Sequence, residues 1–458
     1  MHRLDTEGDD TLTPTYAGRR FAEPVPSHRI PDGGMPAAGA YQLIHDELAL
    51  DGNPALNLAS FVTSWMEPEA DRLLVETAAK NMIDQDEYPR TEVIHERVIS
   101  MQGRLFNAPA GCTPVGTATI GSSEAIMLAM LAHKRTWRRR REAAGQSIDR
   151  PNLVMGADTH TCWEKFANYF EVEARVAPMQ PDAYTLTADD VSGRVDENTI
   201  GVCGLLGTTF TGQMDELAEI DELLCSLERD RGWRVPLHID AASGGFIVPF
   251  TRPELAWDFR LPSVRSINVS NHKFGLVYPG MGSVLFRDRS DLPDELVFHI
   301  NYLGGDMPNY SLNFSRPSSS VILQYFAFLR LGREGYDHVV ANMLENAQTL
   351  GQRLHASEHW VALNQAELFP VVVVRATDPG ALDLYAISRE LRQSGWIVPA
   401  YSLPAHADDT VVLRMVVKEN FSREMVDIFA ADLDGVVTRQ LDQRARAGKR
   451  GEARQPVC

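Results

Sequence analysis

Short apolar runs alternate with helix-length amphipathic segments through the middle of the chain. The runs are rich in Val, Ile and Leu, and turn or loop residues bound each of them. This pattern predicts strands at residues 152–157, 200–206, 236–240, 265–270 and 282–287. Strands that alternate with helices are typical of a mainly parallel sheet covered by helices. The sequence therefore predicts an α/β fold.

The pattern changes after residue 342. It predicts a helix at 343–357, a strand at 369–376, a helix at 382–395, a strand at 410–417 and a helix at 422–441. This order indicates a small α+β domain. Residues 439–458 are basic and poor in apolar side chains, so we expect a solvated, frayed end. The bulky apolar anchors of a calmodulin-type target helix are missing from this tail.

The beginning of the chain is rich in Pro, Gly and Asp and predicts an irregular arm. An arm that wraps a neighbouring subunit and a disordered arm both fit this composition. We therefore predict three parts: an N-terminal arm (1–55), a large domain (56–342) and a small C-terminal domain with a basic tail (343–458).

Charge excludes several classes of protein. The chain has 458 residues, 44 Lys and Arg against 62 Asp and Glu, and a formal net charge of −18. This charge argues against a nucleic-acid partner, because attraction to phosphate drives such binding, and more weakly against an anionic membrane surface. No apolar run approaches the roughly 20 residues that span a bilayer. The acidic, polar N-terminus is neither a secretory signal nor a transit peptide, so we expect a cytoplasmic enzyme.

The cysteines are odd in number and scattered, and no CxxC pair occurs. This argues against a disulfide framework and a zinc site, and it predicts reduced thiols and no metal. The five residues are Cys112, Cys162, Cys203, Cys225 and Cys458.

A lysine follows one predicted strand in the sequence Ser270-Asn271-His272-Lys273. Ligands of parallel sheets bind at the carboxyl ends of the strands. A lysine placed there can form a Schiff base with an aldehyde such as pyridoxal phosphate. Taken alone, Lys273 could equally be an ordinary surface charge.

A carboxylate ends the neighbouring predicted strand, at Asp240, and small residues follow it. A carboxylate against the ring nitrogen of pyridoxal phosphate keeps that nitrogen protonated, because an opposite charge favours the charged form. Alone, Asp240 could be a helix cap or a turn residue. Together with Lys273 on an adjacent strand, it indicates a cofactor site.

A Gly- and Ser-rich turn, residues 116–125, opens a strongly apolar helix. Free backbone N–H groups and hydroxyls at a helix N-terminus form a phosphate site, although ordinary helix caps look the same. No Gly-Lys-Ser/Thr follows, so the turn is not a Walker A loop.

Longer blocks carry a family resemblance from about residue 40 to 430. The chain resembles the group II pyridoxal-phosphate decarboxylases, and within them the glutamate decarboxylases of bacteria and plants. The blocks include His45-Asp46-Glu47-Leu48, Asp86-Glu87-Tyr88-Pro89, residues 119–125 and 238–246, His272-Lys273-Phe274-Gly275-Leu276, Asn313-Phe314-Ser315-Arg316-Pro317 and residues 329–336.

The resemblance implies a fold type I enzyme, whose large domain holds a mainly parallel, seven-stranded sheet. It implies pyridoxal 5'-phosphate as cofactor, α-decarboxylation of L-glutamate to 4-aminobutyrate and CO2, and a homodimer, or a hexamer, with shared active sites. A loop at residues 302–309 would shield the site from water. Lys273, Asp240 and His160 would be catalytic. The cofactor would contact Ser122, Ser123, His160, Thr209, Asp240, Ala242, Ser270, His272, Lys273 and, across a subunit interface, Ser315. The substrate would contact Ser60, Phe61, Asn81, Asp84 and Arg414.

Several residues depart from the family pattern, including Asn309-Tyr310-Ser311 in the altered loop at 302–311 and Ser318-Ser319-Ser320 after the Ser-Arg-Pro motif. His160 replaces a glutamine of typical bacterial members, Ser60 replaces a threonine, and Asn271 replaces a glycine. A decarboxylase of another acidic or polar amino acid therefore stays an alternative, and a cofactor-binding scaffold without catalysis is a third.

Asp84 would face the distal carboxylate of glutamate, and like charges repel unless they share a proton. We therefore expect better activity at acidic than at alkaline pH. Asp84 as a helix cap is the competing interpretation.

Overall fold

The structure is a computed structural model that describes residues 27–110, 115–301 and 307–452, with side chains to residue 446. Its contacts divide the chain into two compact units, Met1–Gly52 and Asn53–Cys458. In the first unit, helix α1 (Ala37–Leu48) begins directly after Pro36. The expectation of an irregular arm was therefore wrong for these residues, because an Ala-rich segment suited to a helix lies within the Pro- and Gly-rich stretch.

The second unit contains a seven-stranded sheet. Its strand order is β1-β7-β6-β5-β4-β2-β3. The strands are β1 (Val115–Thr119), β2 (Asn152–Gly156), β3 (Glu173–Ala177), β4 (Thr199–Leu205), β5 (Leu237–Asp240), β6 (Val264–Val269) and β7 (Gly282–Phe286). Strands β2 to β6 are parallel, and β7 is antiparallel to both β6 and β1. The predicted α/β architecture is confirmed.

Burial explains which strands the sequence revealed. Every residue of β2, β4, β5 and β7 is buried, and β2, β4 and β7 are mainly apolar runs, whereas β5 (sequence LHID) alternates apolar and polar residues. Strand β3 lies at an edge, and four of its five residues are not fully buried. It therefore lacks the apolar run that reveals a buried strand. Strand β1 (sequence VGTAT) was not predicted, because its Gly and Thr residues do not form an apolar run.

Helices join and cover the strands of this unit. They are α2 (Pro68–Thr77), α3 (Pro89–Leu105), α4 (Ser122–Ala143), α5 (Thr161–Tyr169), α6 (Ala188–Ser192), α7 (Leu217–Arg231), α8 (Val248–Thr251), α9 (Ser319–His355), α10 (Leu384–Leu391) and α11 (Arg423–Glu452). Short 3-10 turns occur at Pro54–Leu56, Gly244–Phe246, Arg289–Asp291, Asp294–Leu296 and Arg392–Ser394.

Helix α9 starts well before the helix predicted at 343–357. It is kinked at Gly332, whose φ of 57° is non-helical. The helix runs through residue 342, where we placed a domain boundary, so the division of the chain at that point stays a prediction.

A second sheet lies nearer the C-terminus, in the antiparallel order β10-β11-β13-β12. Its strands are β10 (Trp360–Ala362), β11 (Val371–Ala376), β12 (Ala400–Ser402) and β13 (Val411–Val416). They share an apolar core with helices α10 and α11. A separate pair, β8 (Phe298–Ile300) and β9 (Met307–Asn309), flanks residues 302–306. Those five residues of the expected loop lie outside the described residues.

The C-terminal tail differs from expectation. Helix α11 continues to Glu452, well beyond the predicted helix end at residue 441. The side chains at 442–446 are exposed, as expected for a solvated tail, and its fraying stays a prediction. Ala, Arg and Gln in this stretch are good helix formers even without an apolar stripe. Residues 453–458 lie outside the described part of the chain.

Within the described ranges, no helix is long and apolar enough to cross a membrane. Cys162, Cys203 and Cys225 are free thiols. Cys112 and Cys458 are not among the described residues. No cluster of metal-ligating side chains occurs in the part of the chain that the structure describes.

The contact between β1 and β7 permits a test of the sheet. A Cβ at Gly116 would lie 2.4 Å from the carbonyl oxygen of Val284 and 3.2 Å from Ile99 Cγ2. We expect Gly116→Ala to lower the free energy of unfolding by about 1–3 kcal/mol, because the backbones must separate. Chemical denaturation measures this change. Gly39→Ala is the matched control, since no heavy atom lies within 4 Å of its Cβ position. Equal stability of both variants would contradict the close packing.

Candidate active site

A cavity of about 440 Å³ opens where the carboxyl ends of β4, β5 and β6 meet the start of helix α4. Nine of the ten residues expected to contact the cofactor line it. They are Ser122, Ser123, His160, Thr209, Asp240, Ala242, Ser270, His272 and Lys273.

The Asp240 carboxylate is buried and accepts three hydrogen bonds. Trp163 Nε1 donates to Oδ2 at 2.9 Å, and Asn268 Nδ2 donates to Oδ1 at 2.9 Å. The backbone N–H of Ala242 also donates to Oδ1, at 3.1 Å. Strand pairing places Asp240 opposite Asn268 of β6. The carboxylate is thus fixed at the base of the cavity, ready to pair with a cationic ring nitrogen.

Lys273 is buried beside this carboxylate. Burial lowers the pKa of its ammonium, while the Asp240 charge raises it. Its Nζ lies 3.4 Å from Ser243 Oγ and 5.1 Å from the centre of the Phe61 ring. Thr63 Oγ1 donates to the Lys273 carbonyl at 2.5 Å and holds the backbone. A lowered pKa increases the share of neutral, nucleophilic amine.

The turn before α4, where the sequence predicts a phosphate site, lines the cavity. Ser122 Oγ lies 2.6 Å from Ser270 Oγ, and Asn268 Nδ2 donates to Ser122 Oγ at 2.9 Å. Glu124 fixes the turn, since its Oε2 accepts from the Ile120 N–H at 2.9 Å. The first backbone N–H groups of α4 have no acceptor within the helix and can bind an anion.

Two histidines border the cavity. His272 Nδ1 accepts from the Met281 N–H at 3.1 Å, and burial lowers the pKa of His272 to about 4. His160 caps helix α5, where its Nδ1 accepts from the Cys162 N–H at 3.3 Å. Partial burial and the Lys273 charge lower the pKa of His160. Both rings are therefore mainly neutral at neutral pH.

Three of the expected substrate residues lie together near Lys273. Arg414 Nη1 donates to the Thr209 carbonyl and Nη2 to the Ala59 carbonyl, each at 2.7 Å. Its guanidinium lies 4.9 Å from the centre of the Phe61 ring. Ser60 Oγ accepts from the Val62 N–H at 3.1 Å. Phe61 thus lies between the two cationic side chains, Lys273 and Arg414.

Asn81, Asp84 and Ser315 do not line this cavity. Asn81 Nδ2 donates to Ser315 Oγ at 3.2 Å, and Asn81 Oδ1 accepts from the Arg316 N–H at 3.0 Å. The residue before helix α3 is Tyr88, and no side chain caps that end among the described residues. Residues 82–88 form turns and no helix, so the structure gives no support to Asp84 as the cap of a helix in that region.

Asn271 points away from the cavity. Ser283 Oγ donates to its Oδ1, and its Nδ2 donates to Gln324 Oε1, both at 2.9 Å. The side chain is fully buried. Its departure from the family pattern is therefore absorbed by the core and does not alter the lining of the cavity.

Trp163, Asn268 and His238 were missed by sequence reasoning. A signal for two of them was present: His238 and Asp240 alternate along β5, and Ser266 and Asn268 alternate along β6. Polar residues at a spacing of two on adjacent buried strands share one face of the sheet. Trp163 gave no such signal, because it resembles any core aromatic residue.

The donors and charges in the cavity fit pyridoxal 5'-phosphate. Lys273 offers an amine to the aldehyde of the cofactor, and Asp240 offers a carboxylate to the ring nitrogen. The turn before α4 offers N–H groups and hydroxyls to the phosphate. The fold and the site together define a pyridoxal-phosphate enzyme of fold type I.

Comparison with known proteins identifies the family. The chain matches the pyridoxal-dependent decarboxylase conserved domain over residues 34–377. It is 47% identical to glutamate decarboxylase 1 of Arabidopsis thaliana over 96% of this chain and 88% of that protein. It is 41% identical to glutamate decarboxylase of Aliivibrio fischeri over 94% of each chain. The structure of a Lactobacillus brevis glutamate decarboxylase superposes with a TM-score of 0.91, at 41% identity, over 95% of this chain and 99% of that one. The chain belongs to the pyridoxal-dependent decarboxylases, which confirms the predicted family, cofactor and enzyme class.

Two carboxyls lie buried close to this site. Asp215 accepts from the Leu205 N–H at 2.7 Å and from the Leu186 N–H at 2.8 Å. Asp158 lines the cavity, and its Oδ2 has no hydrogen-bond partner in the described part of the chain. Burial raises the pKa of Asp158 to about 7. Burial, reinforced by Asp158, raises the pKa of Asp215 as well.

Asp158 gives the protein a pH-dependent stability. Its pKa rises on folding from 3.8 to about 7, so the folded state binds more protons between these values. Stability therefore falls as pH rises through that window. We expect Asp158→Asn to reduce the difference in melting temperature between about pH 5 and about pH 8. Thermal denaturation at both pH values measures it, with the exposed Asp434→Asn as control. The prediction is wrong if both variants keep the full pH dependence.

Proposed function

We propose that this protein removes the α-carboxylate of L-glutamate and releases 4-aminobutyrate and CO2. Relatives named as glutamate decarboxylases, up to 48% identical over nearly the whole chain, support this substrate. The observation that carries the proposal is the joint placement of Asp240 and Lys273 in one cavity with the α4 turn.

We assign the cofactor-binding roles as follows. Lys273 carries the cofactor, and Asp240 neutralises its protonated ring nitrogen. Ser122, Ser123, Ser270 and His272 surround its phosphate, and His160, Thr209 and Ala242 border its ring. When bound, pyridoxal phosphate supplies an electron sink for the electron pair left at Cα as CO2 departs.

Lys273 also moves protons in this proposal. Its lowered pKa allows the neutral amine to accept a proton and return it at Cα. Arg414 keeps a buried Nε without a partner among the described residues. We assign it to the substrate's α-carboxylate, because a guanidinium held by two carbonyls has a fixed orientation toward an anion. Ser60 and Phe61, on the segment beside it, contact the substrate.

A relative that acts on another acidic or polar amino acid is the alternative. Ser60 and His160 favour it, because both lie at or beside the cavity and differ from the family pattern. Asn271 does not, since its side chain contacts only the core.

Release of CO2 from a panel of amino acids tests the substrate. We expect turnover of L-glutamate well above that of aspartate, glutamine and aromatic amino acids. Lys273→Ala should abolish turnover and the visible absorbance of the bound cofactor, because no other lysine lines the cavity among the described residues. Lys165→Ala, an exposed lysine outside the cavity lining, should keep both. Turnover of another amino acid without turnover of glutamate would overturn the proposal.

We also propose a cytoplasmic homodimer, or a hexamer built from dimers, with shared active sites. Asn81, Asp84 and Ser315 support this arrangement, because they form a separate group that does not line the cavity of their own chain. In the proposed dimer, Ser315 of one subunit contacts the phosphate bound by the other. Asn81 and Asp84 then complete the pocket for the distal carboxylate of glutamate.

Mixing inactive variants tests the shared site. Lys273→Ala removes the cofactor amine, and Ser315→Asp places a carboxylate against the phosphate. If the sites are shared, each mixed dimer, with one subunit of each variant, contains one intact site. We then expect about a quarter of the normal activity at equal amounts, since half of the dimers are mixed. Mass measurement by light scattering confirms reassembly. Inactive mixed dimers would show that each site uses Lys273 and Ser315 of one chain.

A further inference from the structure

A hydrogen-bond chain runs through the interior of the large sheet and ends at Asp240. His133 Nε2 lies 2.6 Å from Ser266 Oγ, and Ser266 Oγ lies 2.7 Å from His238 Nδ1. His238 Nε2 lies 2.7 Å from Asn268 Oδ1. Asn268 Nδ2 then donates to Asp240 Oδ1 at 2.9 Å. Each of the first four side chains is 4% exposed or less.

The carboxylate fixes the direction of every bond in this chain. An ionised Asp240 only accepts, so Asn268 must present its NH2 to it and its Oδ1 to His238. His238 therefore carries its proton on Nε2 and accepts from Ser266 at Nδ1. Ser266 Oγ, having donated its proton, accepts from His133 Nε2.

Both histidines are neutral. Burial lowers the pKa of His133 to about 3 and that of His238 to about 4. A neutral His238 offers only one N–H, and that N–H faces Asn268. Trp163 packs edge-on against the His238 ring at 5.3 Å and donates to the other oxygen of Asp240. The negative charge of Asp240 is thus held by neutral donors and remains available for a cationic ring nitrogen.

Asn268 also contacts the turn before α4 that we expect to bind the phosphate, because its Nδ2 donates to Ser122 Oγ at 2.9 Å. One amide group therefore holds the partner of the ring nitrogen and a hydroxyl of the α4 turn. If this amide rotated by half a turn, Oδ1 would face the carboxylate, and the two acceptors would repel each other. The N–H of His238 disfavours that rotation further, because it would then face the amide NH2 and lose its acceptor at Oδ1.

We propose that His238 is a positioning residue for the cofactor. Through Asn268 it fixes Asp240 and Ser122 in the places that receive the two ends of pyridoxal phosphate. The proposal rests on the cofactor and not on glutamate, so it can be tested by binding alone.

The experiment measures the Kd of pyridoxal phosphate and of pyridoxal for the full-length apoprotein, by the rise in visible absorbance. His238→Asn retains a polar group near Nδ1 but no longer reaches Asn268. We expect it to weaken both ligands about tenfold, a change of about 1.4 kcal/mol. His238→Gln places an amide N–H near the former Nε2 and should bind both ligands within about threefold of the unchanged protein.

His133→Asn is the matched control. His133 is equally buried and also binds Ser266, but it has no bond to Asn268. We expect its Kd values to match those of the unchanged protein, even where its melting temperature falls as far as that of His238→Asn. Pyridoxal, which lacks the phosphate, shows whether the effect reaches Asp240 as well as Ser122.

Three results would overturn the proposal. They are an unchanged Kd in His238→Asn, an equal loss in His133→Asn, and a loss confined to pyridoxal phosphate. If His238→Asn does not fold, Asn268→Ala provides the test, and unchanged binding of both ligands would again overturn it. If the protein did not turn over glutamate, these Kd values would be unaffected. The proposal of the glutamate substrate and the proposal for His238 can therefore fail separately.

Discussion

The buried carboxylate of Asp240 is the constraint on which the site depends. A charge removed from water is costly unless hydrogen bonds or an opposite charge compensate it. Here three donors compensate it, from Trp163, Asn268 and the Ala242 backbone. Each comes from a different element, so the sheet, helix α5 and the turn after β5 must all be in place before the charge is satisfied. The fold therefore builds a site whose charge is fixed before any cofactor binds.

The neutral state of the surrounding groups follows from the same burial. A charged His238, which Asn268 links to Asp240, would compete with the cofactor for the carboxylate. Burial disfavours that charge, so the hydrogen bonds that run from His238 through Asn268 reach Asp240 without cancelling its charge. The low-dielectric surroundings and the hydrogen-bond geometry thus both keep the negative charge of Asp240 available to the cofactor.

Much of the fold and part of the site could be predicted from the sequence. The other features could not, for physical reasons. Buried parallel strands are rich in apolar residues, so β2, β4, β5 and β6 and the carboxylate and lysine that follow them were readable. Edge strand β3 and Thr-rich β1 were not, because their residues are partly exposed or weakly apolar. Trp163 was hidden among core aromatics, since only tertiary structure brings its N–H to Asp240. The grouping of Asn81 with Ser315 depends on residues 234 positions apart, a distance that no periodic pattern spans.

The acidic net charge of −18 contrasts with an anionic cofactor and an anionic substrate. The cavity resolves this, but not by collecting protonated histidines, because His272 and His160 both have lowered pKa values. Its positive potential comes from Lys273 and from the N–H groups that begin helix α4, and Arg414 lies beside it, bound to the carbonyl of the lining residue Thr209. Backbone N–H groups attract phosphate without titrating, and a guanidinium stays charged throughout the physiological range. The guanidinium and the backbone N–H groups therefore keep their attraction for anions when pH changes, whereas the amine of Lys273 and the carboxyl of Asp158 have shifted pKa values.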